Sequence, residues 1–206
     1  YGSFFLAYRY YKKNTAYQKQ LALYHQALSD SKINQLKAQL NPHFLFNNLN
    51  ILDQLIEEDK RKASDFLNEF AEIYRYVLDV SDKKLVAVEE ELAFAEKYFN
   101  LIQYKYGNAY SLKINHIKSS GNIIPLSLQL LLENAVQHNL GTHDHPVSVT
   151  INLDQTITVS NNVIPKRNSK KTSGRALNNL KEQYALLSDQ QVEISKSEIG
   201  FAVKLP

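Results

Sequence analysis

The hydrophobic period changes once along the chain, near Gly107. Before that point apolar residues recur at steps of three and four, as on helices that bury one face. After it, short runs alternate, as in half-buried strands. Residues 9–35 contain no Gly or Pro and many Gln, Lys, Leu and Ala, a composition that favours helix. Within and beyond them, Leu21, Tyr24 and Leu28 form one short seam, and Ile33, Leu36 and Leu40 another in a shifted register. Two such runs fall short of a sustained coiled coil. They suit a helix that joins one segment to the next.

The densest stretch is 36–52, LKAQLNPHFLFNNLNIL. Beyond Pro42, the residues Phe44, Leu45, Phe46, Leu49, Ile51, Leu52, Leu55 and Ile56 cover most of a helix's circumference. One polar stripe remains: His43, Asn47, Asn50 and Gln54, at i, i+4, i+7 and i+11. A helix so apolar must be packed by neighbours, and any surface they leave uncovered calls for a second copy of the chain. Pro42 lacks an N–H and crowds the carbonyl of Ala38, so a kink or restart is expected there. An imidazole at that distorted turn is well placed to act as a nucleophile.

After the polar turn EEDKRK, Ala63, Phe66, Leu67, Phe70, Ala71, Tyr74, Val77 and Leu78 predict an amphipathic helix. A third helix follows VSDKKLVAV. Glu89, Glu90 and Glu91 occupy its first turn, where the helix dipole favours acids, and Leu92, Ala95, Phe99, Ile102 and Tyr106 form its stripe. Gly107 is a natural stop. Strands are predicted at 111–117, at 147–153 (VSVTINL), through Ile157 and Val159, at Val192 and Ile194, and at 201–205. Helices at 125–140, opened by Pro125 in its first turn, and at about 175–188 interrupt them. The expected class is α+β: a helical region, then a two-layer α/β sandwich.

Composition adds three constraints. At 44% hydrophobic residues, with 13 Tyr and 9 Phe, the 206-residue chain has ample material for a core. The absence of Cys excludes disulfides and Cys-based zinc sites. A net charge of +3 is too small to imply nucleic acid, and none is expected as a direct partner. Charge distribution says more. No acid precedes Asp30, while Arg9, Lys12, Lys13 and Lys19 follow the apolar YGSFFLAY. That pattern matches the inner end of a transmembrane helix with its basic flank on the cytoplasmic side. Since the chain begins at Tyr1 rather than Met, it is expected to be an excerpt anchored by a preceding membrane segment in the cell's inner membrane. His143 and His145 in GTHDHP lack a third ligand, and are expected to form a solvated turn.

PHFLFNNLN closely resembles the phosphoacceptor motif of the LytS/YehU-type sensor histidine kinases, in which the His after Asn-Pro receives phosphate from ATP. LLENAVQHN resembles the N-box of the histidine kinase and gyrase-like ATPase superfamily. The resemblance covers about residues 30–206. It implies a Bergerat-type ATP-binding fold, His43 as phosphoacceptor with Asn47 beside it, and Mg²⁺ held by Asn134 on the ATP phosphates. Gln137 and His138 would approach phosphate, and Asn161 would read adenine. Gly174, Leu177 and Asn179 would form the second glycine box, with Lys170 and Lys171 on a basic ATP lid. The implied division is 1–8 end of a membrane helix, 9–29 linker helix, 30–107 dimerisation and phosphotransfer, and 108–206 ATP binding. Implied partners are a second copy in a homodimer and a response regulator, often of LytTR type. Leu130 stands where the ATPase branch carries its water-activating acid, which favours phosphotransfer to protein. Phe44 stands where many kinases carry an acid after the His, so no general base is named. Val163, Ala176 and Gln183 depart from the glycine-box pattern, and a dimeric signalling scaffold with a degenerate nucleotide site is the alternative.

Overall fold

The computed structural model describes Gln18 and residues 42–206 apart from 117–120 and 167–174, with backbone alone at 42, 43 and 116. The expected membrane end, most of the linker helix, both short seams, Lys170, Lys171 and Gly174 lie outside the described residues. The chain divides after Phe46, and residues 47–206 form one compact unit.

Helix α1 spans Pro42–Glu58. Asp59 alone separates it from α2 (Lys60–Asp79). Its backbone is extended and its carboxylate accepts the N–H groups of Arg61 and Lys62, capping α2. The apolar positions of α2 resolve into two seams. Ala63, Phe66, Phe70, Ile73 and Val77 are buried, whereas Leu67 and Leu78 are exposed on a second, adjacent seam.

Strand β1 (Val86–Ala87) leads into α3 (Val88–Tyr106), which Gly107 ends with φ +55° while its N–H donates to the Gln103 carbonyl. The predicted stripe of α3 is only half of what it buries. Phe94, Tyr98 and Leu101 are also inside, because α2 packs on one side and the next helix on another. Tyr106, placed on the stripe by sequence, is 38% exposed. Glu91 is not a solvated first-turn acid but is fully buried.

Strand β2 (Tyr110–His116), β3 (Asn122–Ile123), α4 (Ser127–His138), β4 (Val147–Leu153), β5 (Ile157–Asn162), α5 (Arg175–Ala185), β6 (Glu193–Lys196) and β7 (Gly200–Leu205) follow. Five strands form one sheet in the order β2-β4-β5-β7-β6. β2 and β4 are parallel, with α4 in the connection, and the other pairs are antiparallel. β1 and β3 make a separate two-residue antiparallel pair. Val147, Val149, Ile151, Leu153, Val159 and Val203 line the sheet's buried face, and Leu128, Leu131, Leu132 and Ala135 are the buried face of α4 that covers it. The α+β reading and its two-layer sandwich stand.

Pro125 does not open α4. Ile124 to Ser127 form a tight turn in which Pro125 takes the second position and Leu126 the third, at φ +63°. That conformation ordinarily calls for glycine, so the helix starts two residues later than expected.

Candidate functional site

The candidate residues gather on α4. Asn134, Gln137 and His138 stand at i, i+3 and i+4, hence on one face. Asn134 is half-buried, and the other two are exposed. Glu133 is turned elsewhere: one carboxylate oxygen accepts the Tyr98 hydroxyl of α3 at 2.7 Å and the Gln129 amide at 3.0 Å. Burial, then the Glu133 charge, pushes the Tyr98 hydroxyl's pKa well up, so Tyr98 stays a donor.

The far end of α4 is tied down by β2 and by the segment after β5. Buried Asn139 donates to the Ala135 carbonyl at 2.8 Å and accepts the Ile164 N–H at 2.8 Å. Its own carbonyl accepts the hydroxyl of Tyr110 of β2 at 2.9 Å. Lys166 donates to the Val136 carbonyl at 2.9 Å, where the helix's C-terminal dipole favours a cation. His138 sits near Lys166 and, from the sheet's edge, Lys196. Desolvation first, then those two cations, lowers the His138 pKa. A lowered folded-state pKa gives a stability term present above the ordinary value of 6.5 and lost as the pH falls through it. We expect His138→Gln to flatten the fall in melting temperature between about pH 7 and pH 5; an unchanged profile would reject the assignment.

Asn161 lies on the covered face of β5, opposite Val149 and Phe201 on its neighbours. Its amide donates to the Asn162 carbonyl at 2.7 Å, leaving the side-chain oxygen as an acceptor. Asn162 bridges β4, accepting the Ser148 N–H and donating to the Pro146 carbonyl. α5, which packs on α4, carries half-buried Leu177 and exposed Asn179. The fold thus brings α4, β5 and α5 together. His43 is the second residue of α1, with Asn47 one turn on and half-buried. Sequence reasoning missed Lys196, Tyr98 and Asn139, since nothing local ties an edge-strand lysine or a tyrosine outside the predicted stripe to a helix far along the chain.

The family model described as histidine kinase matches residues 31–110, which include His43. The sensor protein LytS of Oceanobacillus iheyensis is 28% identical over 201 residues, covering 86% of this chain and 34% of that protein. The sensor histidine kinase/phosphatase LytS of Staphylococcus aureus strain MRSA252 is 27% identical over 179 residues, covering 86% and 29%. By sequence, the chain is similar to the LytS-type sensor histidine kinases over most of its length. It spans about a third of the length of these LytS relatives. Among solved structures, the cytoplasmic segment of histidine kinase QseC aligns at a TM-score of 0.42 with 17% identity, over 70% of this chain and 91% of that one.

Among the described residues, no group of three or more His, Asp or Glu could hold a metal. His143 and His145 are exposed, in a turn closed by hydrogen bonds between Thr142 and His145. Mg²⁺ bound to phosphate oxygens takes one or two protein oxygen ligands and water. Half-buried Asn134, with a hard amide oxygen, fits that mode. No helix among the described residues is long and apolar enough to cross a membrane.

Proposed function

We propose that this chain is the kinase core of a membrane sensor, which binds Mg·ATP and phosphorylates its own His43. The supporting observation is the face of α4: Asn134, Gln137 and His138 lie together, with Lys166 and Lys196 at its end. An anionic triphosphate suits that cationic end, and Mg²⁺ held by Asn134 would neutralise charge on it. The free oxygen of Asn161 can accept from the exocyclic amino group of adenine. Gly174, Leu177, Asn179, Lys170 and Lys171 would complete the enclosure.

In the reaction a ring nitrogen of His43 attacks the γ-phosphorus. An N–P bond forms as the P–O bond to the β-phosphate breaks, and ADP leaves with that electron pair. The phosphoryl group then passes to an Asp of a response regulator, of LytTR type by resemblance. A homodimer would cover the exposed seams, Leu49 and Ile56 on α1 and Leu67 and Leu78 on α2. The preceding segment would anchor the core at the inner membrane, on its cytoplasmic side.

Calorimetric titration with a non-hydrolysable ATP analogue tests the site. Binding is expected to require Mg²⁺ and to weaken at least about tenfold in Asn134→Ala. A folded chain that ignores millimolar nucleotide would instead be the scaffold, with Val163 and Ala176 in place of glycines.

A further inference from the structure

The first turn of α4 is capped by another helix. Leu126, its N-cap residue, has no side chain able to accept a hydrogen bond. The acceptor is Glu91 of α3, whose Oε1 takes the Leu128 N–H at 3.2 Å. Oε2 takes the Tyr76 hydroxyl of α2 at 2.9 Å. Tyr76 is itself fixed, its ring stacked on Phe94 with centroids 4.3 Å apart. From the other side, the Tyr184 hydroxyl of α5 meets Ser127 Oγ and the Ile124 N–H.

A fully buried carboxylate is an expensive way to cap a helix, and burial raises its pKa. A Ser or Asp at the cap position would have served locally. The Glu91 arrangement does something a local cap cannot. It makes the start of α4 depend on α2, the helix that follows the His43 helix. Leu126, the one non-glycine residue at positive φ among those described, lies in the strained turn that leads directly into the helix start this carboxylate caps.

We propose that Glu91 is a positioning residue. Clasped by Tyr76 of α2, it sets the first turn of α4 and thereby the place where Asn134, Gln137 and His138 meet nucleotide. The proposal rests on the reading that α4 binds nucleotide. Movement of α2 would then reach the nucleotide site through one hydroxyl and one carboxylate.

The test uses the whole chain, with hydrogen exchange of residues 125–131 and Mg²⁺-dependent titration of the ATP analogue measured side by side. Tyr76→Phe removes only the hydroxyl. It is expected to speed exchange in that segment and to raise the analogue's dissociation constant, each by about five- to tenfold, with β4 and β5 unchanged. Glu91→Gln keeps an acceptor for Leu128 and a polar partner for Tyr76, and is expected to stay near wild type. Glu91→Ala is expected to lose more than Tyr76→Phe; should it fail to fold, Tyr76→Phe decides. Unaltered exchange at 125–131 in Tyr76→Phe overturns the proposal. So does faster exchange with an unaltered dissociation constant, which would leave Glu91 a structural cap. A wild-type chain that binds no nucleotide overturns the kinase reading first, and this proposal with it.

Discussion

His43→Gln is expected to abolish phosphate incorporation from γ-labelled ATP while leaving nucleotide affinity unchanged. The glutamine amide has no basic lone pair on nitrogen, so no N–P bond can form at that position. Glutamine is also a better helix former than histidine, so α1 is not expected to weaken. The loss should exceed about a thousandfold, ~4 kcal/mol on the barrier. Label on the wild-type chain should survive alkali and be released by acid, as a phosphoramidate requires. Label persisting in His43→Gln would move the phosphoacceptor elsewhere. Nucleotide affinity lost in the same variant would mean that His43 acts in binding.

Gly141→Ala is expected to destabilise the unit 47–206 by about 3 kcal/mol and lower its melting temperature by roughly 10 °C. A Cβ there would stand 2.0 Å from the Ala109 carbonyl oxygen and 3.3 Å from a Val147 methyl. The first is backbone and cannot rotate aside. Ala109 closes the turn into β2 and Val147 opens β4, so the parallel pair β2–β4 must part or the loop after α4 must shift. A shifted loop would strain the Tyr110 hydroxyl's bonds to the Asn139 carbonyl and the Gly141 N–H. Those bonds anchor the end of α4 that carries His138, so nucleotide affinity should fall as well. Melting indistinguishable from wild type, followed by circular dichroism, would show that the loop has room this geometry denies it.

Much of this was legible in the residues alone. Strict alternation over VSVTINL marked β4 to the residue, because alternation at period two cannot be a helix. The three-and-four spacing from Ala63 to Val77 marked α2, and Gly107 marked the end of α3. The motifs around His43 and Asn134 pointed to the LytS-type kinases. Each of these is a short-range pattern, written in the choice of apolar, polar or glycine residue at neighbouring positions.

Tertiary structure decided what such patterns cannot carry. A stripe declares one buried face, and α3 has two because α2 and α4 pack on different sides of it. Two residues hold no period, so the β1–β3 pair was silent in the sequence. The parallel pairing of β2 with β4, the approach of Lys196 to His138, and the burial of Glu91 all join residues far apart in the chain. Whether Glu91 sits in water or beneath the first turn of another helix depends on where that helix lies. Its neighbours in sequence say only that an acid near a helix start is favourable; its neighbours in space decide what that acid holds.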